Sequence, residues 1–274
     1  MKCLRFRSTT RVAGLALAWL VGGAGFAAAD DAPPVPEIHP GVLMGYLPKT
    51  AIPDSLALLP PPPTDGSAVL AMDEEISRTN LALKGTPRWD LAALDADLSF
   101  PSAAGDFACA LGAPVTQADT PRLYQLLRRA MTDGGSSTGK AKENYMRKRP
   151  FMVNKAPTCT PGDEDALTHN GSYPSGHTAI GWTWALILSE ISPEQSQAIL
   201  ARGRAFGQSR VVCNVHWESD VIESLTLAAG TVARLHDEPA FLAELAAVRA
   251  KKLAPQRDCK AEADALAQQP MQAP

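Results

Sequence analysis

Gly171-Ser172-Tyr173-Pro174-Ser175-Gly176-His177 runs directly into Thr178 to Ile191, an apolar stretch whose one charged residue is Glu190. Proline, serine and glycine ahead of such a run mark a helix start, so a helix is expected to open near His177. The first amides of a helix lack carbonyl partners and sit at the positive end of its dipole, which suits this mouth to a phosphate. His177 stands at the same mouth, where an imidazole can pass a proton to a group leaving that anion. Taken alone, the segment reads first as a plain helix start. Partners for an anion elsewhere in the chain decide the matter.

At 274 residues and 45% hydrophobic content, the chain suffices for one large core, two domains at most, and it shows no internal repeat. Residues 1–29 differ in kind. Lys2, Arg5, Arg7 and Arg11 precede the apolar run Val12 to Ala18, and small residues continue to Ala27-Ala28-Ala29. This is the pattern of a secretory signal peptide cleaved near Ala29, and four glycines between Gly14 and Gly25 make it a poor membrane span. Cleavage removes four of the 26 basic residues and none of the 29 acidic ones, taking the formal charge from −3 to −7. That balance argues against nucleic acid or an anionic membrane surface as a partner. Cys3 leaves with the leader. Cys109, Cys159, Cys213 and Cys259 suit two disulfides in an exported chain; three pairings are open, and the spacing fits no zinc pattern.

Residues 30–66 read as a proline-rich arm ending in Pro60-Pro61-Pro62-Pro63, too dense in proline for a regular helix or sheet. The leucines of Pro53 to Leu59 favour an arm strapped across the domain. Residues 67–274 then form a helical domain, with helices over Ser67 to Leu83, Trp89 to Leu98 and from Thr120-Pro121 to a stop at Gly134-Gly135. Ser136 to Gly139 is a flexible loop. Lys140 to Lys155 concentrates positive charge, by itself a solvated face. Pro157 to Asn170 is loop-like, its acids Asp163, Glu164 and Asp165 being solvated turn charges. Further helices are expected from Ser192 to about Arg210, from His216 to His236 and from Pro239 to Leu253, with no alternating strand pattern anywhere. The fold class is therefore all-α, a single-domain helical bundle.

A second constellation lies in the last third: Ser209-Arg210, then His216 and Asp220. On a helix, His216 and Asp220 share a face, so the carboxylate can fix the imidazole tautomer and leave the other ring nitrogen free to attack. The three segments form one ordered pattern: Lys142, six residues, Arg149-Pro150; Pro174-Ser175-Gly176-His177; and Ser209-Arg210, five residues, His216, three residues, Asp220. This resembles the three-part signature of the type 2 phosphatidic acid phosphatase superfamily, which includes the vanadium haloperoxidases. The octet Gly171 to Thr178, the arm Pro53 to Pro63 and the run Leu126 to Asp133 further resemble the bacterial class A non-specific acid phosphatases, which are periplasmic.

The resemblance implies a helical bundle of the acid phosphatase and vanadium haloperoxidase type that hydrolyses phosphomonoesters through a phosphohistidine. It implies His216 as nucleophile, Asp220 as its orienting partner and His177 as general acid. Lys142, Arg149 and Arg210, with Ser175 and the amide of Gly176, would surround the phosphoryl oxygens. Three cations supply the charge a metal would bring, so no metal and no cofactor is expected. It further implies nucleotide, aryl and sugar phosphates as substrates, some phosphate transfer to alcohols, and a homo-oligomer without nucleic-acid or membrane partners. His216 should begin neutral and His177 charged, giving a bell-shaped, acidic pH profile. The alternatives are a vanadium-dependent haloperoxidase and a non-catalytic phosphate-binding protein. Tyr145, Met146, Tyr173 and Trp217 are neighbours that would line the leaving-group pocket; His169 lies near the octet without an assigned role.

Overall fold

The computed structural model describes residues 32–249, 253 and 258–268, and the expected signal peptide falls outside them. In chain order the elements are β1 (Glu37–His39), β2 (Val42–Leu43), α1 (Ser55–Leu58), α2 (Ala68–Asn80), α3 (Pro87–Leu94), α4 (Ala108–Leu111) and α5 (Pro121–Ser136). Then follow α6 (Gly139–Tyr145), α7 (Pro150–Asn154), α8 (Glu164–Thr168), α9 (Gly176–Ile191), α10 (Ser196–Val212), α11 (Glu218–Leu235), α12 (Pro239–Arg249) and α13 (Lys260–Leu266). Among the described residues the protein is all-α apart from the β1–β2 pair. None of these helices is long and apolar enough to cross a membrane.

The apolar run after His177 has its character because α9 is the central helix, packed against α5, α10 and α11. Ala179, Ile180, Trp184, Ala185, Ile187 and Leu188 are all buried along it, so no polar face is needed. Burial contributes about 1.5–3 kcal/mol for each large side chain. Trp184 is fully buried with Phe107 and Phe206 against its ring, and its indole N–H donates to the Leu127 carbonyl at 2.9 Å. Gly181 lets α9 and α10 close up, since a methyl group there would overlap the Phe206 ring.

Gly134 and Gly135 do not end α5, contrary to expectation. The helix continues to Ser136 because Gly134 is the point where it presses on α9: a Cβ at Gly134 would lie 3.3 Å from the Ala179 carbonyl oxygen. Only Ser137 and Thr138 separate α5 from α6, so the expected loop is a tight turn. The acid-rich stretch before the octet also carries more order than its composition suggests. Glu164 opens α8 and accepts a 2.7 Å hydrogen bond from Thr158.

The arm is strapped down, but it does contain regular structure. Gly41, at φ +80°, turns β1 into β2, and Asp54 caps the single turn of α1 by accepting from the Leu56 amide. The prolines fall outside these short pieces. Polar anchors join the leucines in the strapping: Asp133 accepts the amides of Tyr46 and Leu47 at 2.8 and 3.0 Å, and Ser55 Oγ accepts the Ala141 amide at 3.0 Å. Leu59 is buried, whereas Leu56 and Leu58 remain exposed.

Two disulfides settle the open pairing: Cys109–Cys259 and Cys159–Cys213. The first ties the segment before α13 to α4. The second ties the loop after α7 to the end of α10, next to the histidine constellation.

Candidate active site

Ser175 is the N-cap of α9, its Oγ accepting from the Thr178 amide at 3.3 Å. Its own amide donates to the Asp220 carbonyl at 3.1 Å, which hooks the octet onto α11. Tyr173 fixes the other end, its hydroxyl donating to the Pro60 carbonyl at 2.7 Å. Gly176 is the first helical residue, where the amide has no intrahelical partner. A Cβ there would come within 3.8 Å of Lys142 Cε, so the lysine stem passes across the mouth of α9.

The basic run splits in two. Lys148 and Lys155 are exposed, as a solvated face would be, but Arg149 is buried and Lys142 partly so. Lys142 Nζ donates to the Gly171 carbonyl at 2.6 Å, and Arg149 Nη2 approaches the same oxygen at 3.4 Å. Gly171 is a requirement of this arrangement, because a Cβ would sit 2.5 Å from the Lys142 carbonyl oxygen. Burial, then Arg149, push the Lys142 ammonium down to about 7. Arg149 and Arg210 are lowered to about 10, chiefly by burial, and both stay cationic at neutral pH. Arg210 is fully buried, and its Nε and Nη1 have no hydrogen-bond partner among the described residues. Unpaired donors on a buried cation are costly, and an anion would satisfy them.

His216 is not on the helix expected to carry it. α11 begins at Glu218, and the histidine sits in the turn after α10, where the amides of Val215 and His216 both donate to the Arg210 carbonyl. Asn214 makes the turn at φ +60°, its side chain anchored to Asn154, Ala156 and Pro157. The pairing with Asp220 survives by another route. Asp220 is the third residue of α11, and its Oδ2 accepts the Trp217 amide at 2.9 Å while lying 3.2 Å from His216 Nδ1. The other ring nitrogen, Nε2, is 3.0 Å from Arg149 Nη1. A guanidinium has only donors, so Nε2 is an acceptor and Nδ1 carries the proton. Burial first, then Arg149, hold His216 well below its ordinary value, keeping the ring neutral.

His177 Nε2 lies 2.9 Å from the Ala96 carbonyl and donates to it, leaving Nδ1 as the open ring nitrogen. Burial and Arg210 hold His177 well below its usual value, against the charged form expected for a general acid. Burial is the larger cause and the neighbouring cations the lesser; a phosphate dianion among them would offset the cationic part and favour the charged ring.

Of the sequence-derived site residues, Lys142, Arg149, Arg210, Ser175, Gly176, His177, His216 and Asp220 converge on the mouth of α9. The suggested pocket neighbours do not all belong. Tyr173 and Trp217 are buried with their polar atoms spent on Pro60 and Lys148. His169 is exposed, with Nδ1 2.9 Å from the Asp165 carbonyl. Sequence reasoning passed over Asp95, buried with Arg202 and Ser209 as partners, and Asp73, which meets α11 from α2. Their partners lie far away in sequence, and no local signal marks either one. Among the described residues, no three His, Cys, Asp or Glu side chains gather as a metal site.

Residues 126–237 match the PAP2 superfamily. The chain is 48% identical to a non-specific acid phosphatase of Providencia stuartii over 73% of its own length and 81% of that protein. It is 44% identical to an acid phosphatase of Zymomonas mobilis (72% and 74% covered) and 46% identical to a non-specific acid phosphatase of Salmonella typhimurium (70% and 77%).

Proposed function

The chain belongs to the non-specific acid phosphatases of the PAP2 superfamily and is itself an acid phosphatase, and from this premise we propose that it works through a phosphohistidine on His216. One observation carries the reading: a neutral imidazole, tied at Nδ1 to Asp220, turns its Nε2 lone pair toward a cationic cradle. Phosphomonoesters are the substrates. The phosphoryl group enters among Lys142, Arg149 and Arg210, where the unpaired donors of Arg210 take its oxygens and the mouth of α9 adds the Gly176 amide.

Nε2 then forms a bond to phosphorus as the ester oxygen leaves, and His177 gives that oxygen a proton from Nδ1. Water attacks the phosphohistidine next, returning one proton to His177 and breaking the N–P bond. An alcohol in place of water gives phosphotransfer. The three cations neutralise charge where it develops, so the chemistry needs no metal.

Nucleotides, aryl phosphates and sugar phosphates fit a cradle that grips only the phosphoryl end. The leader-like residues 1–29 and the two disulfides support export to an oxidising periplasm. Homo-oligomerisation is expected from the kinship. A haloperoxidase reading is weaker, because the relatives reported above are named as phosphatases. The test is hydrolysis of p-nitrophenyl phosphate from pH 4 to 9 with EDTA present, beside His216→Ala. Acidic turnover lost in the variant supports the proposal, and a variant with wild-type turnover defeats it.

A further inference from the structure

Arg147 belongs to the same basic run as Arg149 but faces away from the cradle. Its Nη1 lies 2.6 Å from Asp220 Oδ1 and 2.8 Å from Ser219 Oγ, and its Nη2 lies 2.8 Å from Asp73 Oδ2. Asp73 in turn accepts the Ser219 amide at 2.8 Å and the Ser219 hydroxyl at 2.6 Å. The side chains of Asp73, Arg147, Asp220 and His216 are 2%, 9%, 0% and 3% exposed, so this is a continuous buried chain of charge ending on the reactive imidazole.

Resting on the phosphohistidine reading above, we propose that Arg147, aimed by Asp73, is a positioning residue that keeps Asp220 an anion and so keeps the His216 lone pair on Nε2. Each oxygen of Asp220 is occupied: Oδ1 by Arg147, Oδ2 by the Trp217 amide and the His216 N–H. Burial holds the Asp220 carboxyl above its ordinary value and Arg147 is the chief group drawing it back down, so a carboxylate facing only an imidazole and an amide would take up a proton more readily. A neutral Asp220 no longer demands the proton on Nδ1, and the tautomer that blocks Nε2 becomes available. Asp73 makes the device directional. Its two oxygens grip both the guanidinium and the second amide of α11, so one carboxylate sets the arginine and the helix bearing Asp220. A planar fork bridging two carboxylates is a task for which lysine is a poor substitute. Asp73 lies outside residues 126–237, so the bracing comes from beyond the matched superfamily stretch.

The charged and titratable groups facing the His216–Asp220 pair are Arg147, Arg149, Lys142 and Arg210, with His177 across the cradle. Removing one of these cations lets the pair take up its proton at higher pH, and the pair titrates as a unit. The test uses the full chain with p-nitrophenyl phosphate, comparing Arg147→Gln, Arg147→Lys and Asp73→Asn for kcat, KM and the acid limb, alongside rapid-quench trapping of the phosphoenzyme. Arg147→Gln should lower kcat about 10- to 100-fold, the range for partners that orient a reacting group from behind, with KM little changed. Its acid limb should move to higher pH, and Arg147→Lys should recover part of both effects.

Failure to fold would leave Arg147→Lys and Asp73→Asn as the deciding variants, each expected to show the same acid-limb shift in smaller degree. Folded variants with wild-type kcat and an unmoved acid limb would overturn the proposal. Absence of a phosphoenzyme in the wild type, or its persistence in His216→Ala, would instead sink the phosphohistidine reading itself.

Discussion

Arg149 Nη1 lies 3.0 Å from His216 Nε2, a cation donating to the lone pair that we propose attacks phosphorus. After burial, the larger cause, this contact helps hold the imidazole in its neutral form, because a second proton on Nε2 would face the guanidinium directly. On the proposed reading, an entering phosphate would give the same guanidinium oxygens to turn to and would release the lone pair.

Asp220→Asn is predicted to lower kcat about 10³- to 10⁴-fold while leaving the fold intact, by analogy with the loss of an orienting carboxylate behind a catalytic histidine. An amide can donate toward Nδ1 and favour the wrong tautomer. Steady-state kinetics on the folded variant check this, and a change below tenfold would count against an orienting role.

The pH dependence follows from two signs. His216 is held well below its ordinary value, so its ring stays neutral, with the Nε2 lone pair free of a proton, into acid. Lys142 is held down to about 7, so the cradle loses a positive charge as the pH rises through neutrality. Activity should therefore be highest in acid, with KM climbing above pH 7. Lys142→Met should have a high KM already at pH 5 and little further rise. A wild-type KM that stays flat to pH 9 would show that Lys142 does not bind the phosphoryl group.

Gly181→Ala should destabilise the fold by about 1–3 kcal/mol, the usual cost of overpacking, because the new methyl group meets the Phe206 ring. Urea unfolding measures the loss. The kinetic constants of molecules that remain folded should change little, since Gly181 points into the α9–α10 contact and not the cradle.

The Cys159–Cys213 bridge closes a loop of 54 residues, for which chain entropy gives about 4 kcal/mol as an upper figure. It also anchors the turn between Arg210 and His216. Cys159→Ser with Cys213→Ser should lower both the thermal midpoint and kcat, whereas removing Cys109–Cys259 should act mainly on stability. Equal kinetic effects of the two removals would contradict the local role.

What was legible in the sequence was what local spacing controls. The cap and apolar run of α9, the i, i+4 relation of His216 to Asp220 and the ordered basic residues each leave a mark within a few positions. What was not legible depends on partners brought from afar. Asp73 meets Ser219 across 146 residues, Gly134 is glycine because of α9, and Gly171 because of the Lys142 backbone. His216 misled for a related reason: its spacing to Asp220 fits a helix, but the helix cap lies between them. Charge runs hid the largest distinction, since Arg147, Lys148 and Arg149 are neighbours in sequence and face a carboxylate pair, solvent and the cradle respectively.

The most direct test of the account is to quench the reaction of a ³²P-labelled phosphomonoester within milliseconds and map the protein-bound label. The predicted result is an acid-labile, alkali-stable phosphoramidate on His216, absent from His216→Ala. Label on any other residue, or full turnover with no protein-bound phosphate at any quench time, would contradict it.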